Sequence, residues 1–142
     1  MYIKVSLILK YMTDTLKYDF CTVYIHDFYL VVEINEGFHL LSSHNQILVN
    51  LADTYYRDKN FIYITHRIHS YSVDPIIYTE TSKIKNLIGF AVVGKVPLSA
   101  ANAQIEKLFL QKPFEIFNDL KDAIDWARSI HNNPSTTSEG FV

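Results

Sequence analysis

A chain of 142 residues, 49% hydrophobic and 20% charged, has the size of one domain and enough apolar material for a single layered core. A net charge of −2 with no cluster of Lys and Arg excludes nonspecific binding to phosphate backbones, and the lone cysteine, Cys21, excludes an intramolecular disulfide and a multi-thiolate zinc site. No run reaches the roughly 18 apolar residues that a membrane span needs, so neither nucleic acid nor a bilayer is an expected partner, and a reducing cytoplasm is the expected setting.

The opening MYIKVSLILKYM is a brief apolar stretch broken by Lys10, without a cleavage signature for export, and Met12 offers a second start. Residues 1–17 are therefore set aside as an N-terminal extension, and the domain is placed at 18–131. YDFCTVYIH (18–26) and FYLVVEI (28–34) have the alternation and composition of strands, and with only Asp27 between them they form a hairpin. After Gly37, Ser42 or Ser43 caps a helix whose Ile47, Leu48, Leu51, Ala52 and Tyr55 recur at helical spacing, with Asn45, Gln46, Asn50 and Asp53 on its polar face.

NFIYIT (60–65) is the third strand, followed by a helix that Asp74 caps and Pro75 opens. NLIGFAVVG (86–94), apolar throughout, reads as a central strand covered by helices on both faces. Ser99 caps a helix that turns Ala101, Ile105, Leu108 and Phe109 inward. PFEIF (113–117) is a last strand, and Asn118 or Asp119 starts a helix with Leu120, Ala123, Ile124, Ala127 and Ile130 inward and Trp126 at the edge of that stripe. Residues 132–142 are polar and without period, the composition of a loose tail. Two strands followed by alternating helices and strands predict an α/β domain, a mixed and largely parallel sheet of four to five strands with crossover helices.

The block FIYITHRIHSYSVDPIIY, the strand GFAVVG and the ending KPFEIFNDLKDAIDWA resemble the SpoIIAA-like proteins of the STAS superfamily, over roughly residues 18 to 131. Most telling is the ending, where Phe117, Ala123, Ile124 and Trp126 follow that group's pattern. The resemblance implies a cytoplasmic, bacterial signalling or interaction module rather than a catalyst, one that binds a partner protein or a second copy of itself. Anti-anti-sigma members of the superfamily carry an Asp-Ser-Ser-Gly-like motif after the third strand, with a phosphorylated serine. Here the region reads HSYSVDP, with Ser70 and Ser72 but no Asp-Ser pair and no glycine, so the phosphoswitch does not carry over.

Within that stretch His66, Arg67, His69, Ser70, Tyr71, Ser72 and Asp74 are the expected partner-binding residues. No cofactor is implied. His66 and His69, three apart, point to opposite faces of a continuing strand and make poor joint metal ligands. Two other readings stand beside the interaction module. Ten Tyr and nine Phe supply material for an aromatic pocket, with Tyr55, Tyr56, Tyr63, Tyr71, Tyr78 and Phe90 holding a small apolar or acidic ligand. Glu33 or Glu36 paired with His66 is the third, an acid-base enzyme, which requires those groups within hydrogen-bond reach in a cleft.

Overall fold

The computed structural model describes residues 14–94 and 103–133. Its hairpin pairs β2 (Cys21–Ile25) antiparallel with β3 (Tyr29–Ile34), and β1 (Asp14–Lys17) adds antiparallel to the free edge of β2. Beyond the hairpin every neighbour in the sheet is parallel: β3 to β5 (Phe61–His66), β5 to β7 (Leu87–Val93), and β7 to β8 (Phe114–Phe117). The sheet thus has six strands in the order β1-β2-β3-β5-β7-β8, one or two more than the sequence suggests, because the polar segment DTLK has no strand pattern of its own. Two short strands, β4 (His39–Leu40) and β6 (Ser72–Val73), pair parallel outside it.

Alternation along each strand sends side chains to two helical layers. On one face Ile62, Ile64, Ala91 and Val93 pack against Ala123, Ala127 and Ile130 of α3 (Leu120–Asn132). On the other, α1 (Asn45–Tyr55) and α2 (Ile77–Thr81) cover Val23, Val32, Phe90 and Val92. Ser42 and Ser43 do not cap α1; they lie in a 3-10 turn, where His44 Nδ1 accepts the Leu41 N–H at 2.9 Å. Asp74 accepts the Ile76 N–H at 3.1 Å in the turn before the next helix but does not cap it: α2 begins at Ile77 with Ile76 at its N-cap and lasts only five residues.

Two faces differ from the sequence expectation. Asn45, assigned to the polar side of α1, is buried and accepts a hydrogen bond from Thr81 of α2 at 2.7 Å. Of the helix expected after Pro97, Ser99 and Ala101 lie outside the described residues, and the helical turn at 103–107 is rotated from the apolar stripe. Ala103, Glu106 and Leu110 face inward, while Ile105, Leu108 and Phe109 are exposed. A charged partner inside the protein sets that rotation, as shown below.

Gly89 is the point where α3 comes closest to the sheet. A Cβ there would run into Ile130 Cδ1 and stand 3.2 Å from Trp126 Cη2. Gly89→Ala is expected to destabilise the fold by about 1–3 kcal/mol through overpacking, read as a lower urea midpoint at unchanged slope; an unchanged midpoint would mean that α3 does not rest on the sheet in this way.

Candidate functional site

β5 ends at His66, at the carboxyl edge of the parallel strands, where ligands and partners of open α/β sheets commonly meet the fold. Arg67 continues the ladder by one bond, its N–H donating to Val93 O at 2.7 Å. Two residues beyond Thr65, it shares that residue's face, and its side chain enters the layer between sheet and helices. There the guanidinium forms an ion pair with Glu106, the two side chains only 5% and 7% exposed. Tyr78 OH donates to the same carboxylate oxygen at 2.7 Å. Arg67 Nε donates to Tyr71 OH at 3.0 Å, and Tyr71 OH lies 2.8 Å from Thr65 Oγ1, closing a polar network inside an apolar layer.

The charges in this network are held by one another. Burial alone would weaken the hold of Arg67 on its proton, but Tyr71 and Glu106 outweigh it and the group stays above its ordinary value. Burial, then the nearby carboxylate of Glu106, pushes the Tyr78 phenol well up. Burial also raises Tyr71, against the pull of Arg67, and raises Tyr63 well above the ordinary phenol. At neutral pH all three phenols are intact hydroxyls.

Outside this anchor the chain makes a tied loop. Gly37, at φ 75, occupies the left-handed region that glycine enters freely and donates its N–H to Ser70 O at 2.7 Å. Glu36 Oε2 accepts the Ser70 N–H at 2.8 Å and stands 3.8 Å from His69 Nδ1. Ser72 Oγ and His39 Nδ1 are 2.6 Å apart, and Asp74 N–H donates to Leu40 O at 2.9 Å.

Of the residues expected to meet a partner, Arg67 is therefore buried and Tyr71 half-buried, both turned inward as anchors. His69, Ser70 and Ser72 are exposed and Asp74 is half-exposed. His66 lies on the other face of the sheet. Its Nδ1 is 3.7 Å from Glu33 Oε2, past hydrogen-bond length, and among the described residues this buried nitrogen has no hydrogen-bond partner; Tyr24 OH donates to Glu33 Oε1 at 3.3 Å. Glu33 and His66 thus share a face without the hydrogen bond that an acid-base pair needs, and Glu36 serves the loop instead. Among the described residues no three His, Cys, Asp or Glu side chains are grouped to hold a metal, and no helix is long and apolar enough to cross a membrane.

The aromatic pocket exists in part. A hollow between the sheet and α1 and α2 is lined by Tyr63, Tyr71, Tyr78 and Phe90, together with Cys21, Thr65 and Asn45. Tyr55 and Tyr56 are elsewhere: Tyr55 OH donates to Asp14, and Tyr56 OH to the carbonyls of His26 and Tyr29. Glu106 and Asn45 are the members that sequence reasoning missed. The signal for Glu106 was indirect, since an arginine in phase with Tyr63 and Thr65 is carried inward and requires an acid.

No family model matches the chain, and no curated protein matches it. Among solved structures it is similar to an uncharacterised protein from the DUF3478 family with a SpoIIAA-like fold from Shewanella loihica PV-4, at 15% identity and a TM-score of 0.49, over 80% of this chain and 90% of that one. Nothing about family or function is carried to this chain by a similarity at that level.

Two outcomes are expected of the network. Glu106→Ala removes the carboxylate that Arg67 and Tyr78 share and costs about 3–5 kcal/mol, whereas the double change Arg67→Met with Glu106→Leu recovers most of that loss in denaturant unfolding. At high pH the unfolded chain releases its phenol protons near the ordinary value of about 10 while the buried phenols hold theirs, so stability is full below that pH and falls above it. Phenolate absorbance from the buried tyrosines should rise only together with loss of helical circular dichroism; complete titration of every tyrosine in the folded chain would contradict the network.

Proposed function

We propose that the chain is a non-enzymatic binding module that meets another protein through the loop after β5. The observation that supports this reading is Ile68, 54% exposed, at the outer end of a loop whose base is tied to the core. A large aliphatic side chain in water is ordinary by itself. Here the next residue inward is the anchored Arg67, and the loop is fastened again at Ser70, Ser72 and Asp74, so Ile68 is held out on a fixed frame. Preorganisation of this kind lowers the ordering cost of association.

Ile76, also 54% exposed, and Leu41 are further exposed aliphatic side chains, on the segments that Leu40 and Asp74 join. His69, Ser70 and Ser72 supply an exposed polar border, the arrangement of apolar anchor and polar rim by which interfaces exclude water. Such a surface fits a partner offering an apolar recess edged by hydrogen-bonding groups. Arg67 and Tyr71 contribute by shaping the loop and not by contact. A cytoplasmic setting belongs to the same reading.

Placing a photoreactive amino acid at position 68 in the full chain, in cells of its native host, tests the assignment. A discrete cross-linked protein species is expected from position 68 and none from Lys121 on α3, with the species lost when Ile76→Asp is added. Equal labelling from both positions, or no adduct from position 68, would remove the loop as the contact surface.

A further inference from the structure

The hollow behind the loop has a chemistry that the protein contact does not use. It holds about 60 Å³ of water-accessible space and widens to about 610 Å³ when its open mouth is counted. The first figure is room for about four to six waters, and the second takes in the solvent at the mouth. Its wall along the sheet is a row of rings: Tyr63 stacks on Phe90 with centroids 4.6 Å apart, and Tyr78 meets Phe90 edge-on at 5.6 Å. Tyr63 is half-buried in this wall.

Two polar groups face this space unspent. Asn45 is 7% exposed, and its Oδ1 is tied to Thr81; among the described residues its Nδ2 makes no hydrogen bond. Tyr63 OH likewise makes none among the described residues, while the neighbouring Tyr71 and Tyr78 hydroxyls are engaged with Thr65, Arg67 and Glu106. Hydrogen-bonding groups on an apolar wall without a protein partner are open to water or to a guest.

The described wall favours an uncharged occupant. Among the described residues lining the hollow there is no Lys, Arg, Asp or Glu. Arg67, the nearest strong cation behind Tyr71, is neutralised by Glu106. His44 borders the hollow as a neutral ring when Nδ1 accepts the Leu41 N–H, since its proton then sits on Nε2. A charged molecule would lose its hydration here and find no counter-charge.

We propose that the hollow between the sheet and helices α1 and α2 is a binding site for a small uncharged organic molecule, an apolar body carrying a hydroxyl or carbonyl oxygen that accepts from Asn45 Nδ2 and meets Tyr63 OH. Of the apolar and acidic ligands weighed from the sequence, this wall favours the uncharged kind, because among the described residues the arginine nearest the hollow is paired with Glu106. Cys21, buried in the same wall with its thiol pushed up to about 11 by burial, is an apolar contact and an internal reporter.

Three probes with one body and different charge test this on the full chain at neutral pH: cyclohexanol, cyclohexanecarboxylate and cyclohexylammonium, each followed by amide and side-chain NMR shifts. Cyclohexanol should give saturable shifts at the Asn45 side chain, Tyr63 and Thr65, and should slow alkylation of Cys21. The carboxylate and ammonium probes should bind at least about tenfold more weakly, roughly 1.4 kcal/mol. Tyr63→Phe removes only a hydroxyl without a protein partner, so it should keep the wild-type unfolding midpoint and weaken cyclohexanol about 5- to 10-fold. Cyclohexanol without saturable shifts, a charged probe binding as well as the neutral one, or undiminished binding to Tyr63→Phe would each overturn the site. None of these outcomes bears on the contact surface at Ile68.

Discussion

The ion pair between Arg67 and Glu106 is the constraint on which this architecture turns. An arginine placed two residues after Thr65 on a parallel strand is carried into the layer beneath the helices, and a guanidinium there is tolerable only with a carboxylate and further hydrogen bonds around it. That requirement sets the rotation of the helical turn at 103–107, which presents Glu106 inward and leaves Ile105 and Leu108 outside. It also recruits Tyr78 from α2 and Tyr71 from the loop, so that four separate parts of the chain meet at one charge pair.

The same meeting point divides the region into an outer and an inner surface. Outward, the loop is fixed at its base and again at Gly37, Ser72 and Asp74, and it holds Ile68 in water. Inward, Tyr71 and Tyr78 form part of the wall of the hollow, with their hydroxyls turned to Arg67 and Glu106. With those two hydroxyls engaged, Asn45 Nδ2 and Tyr63 OH are lining groups without a protein hydrogen bond among the described residues. One buried pair thus shapes both the outer loop and part of the wall of the hollow behind it.

Much of the fold was legible in the sequence because it is written locally. The hairpin strands, NFIYIT, the apolar NLIGFAVVG and the stripe from Leu120 to Ile130 each carry a period that one segment reveals alone. β1 was not legible: DTLK is polar and becomes a strand only because β2 offers it an edge. Asn45 and Glu106 were missed for the opposite reason. A polar residue on a helix is assigned outward by pattern, and only the positions of Thr81 and Arg67, distant in sequence, bring these two inside. For the loop, the direction of two side chains was misread. Arg67 and Tyr71 looked like exposed recognition groups, although the in-phase run Tyr63, Thr65, Arg67 already pointed toward the helix layer.

The claim at the centre of this account is that Arg67 and Glu106 hold the loop in place. Amide hydrogen exchange at Gly37, Ser72 and Asp74, compared between the native chain and the chain with both Arg67→Met and Glu106→Leu, tests it most directly. The account predicts slow exchange at these three amides in the native chain and fast exchange in the variant, while the amides of β5 and β7 keep their protection in both. Fast exchange in the native chain, or protection that survives loss of the pair, would contradict it.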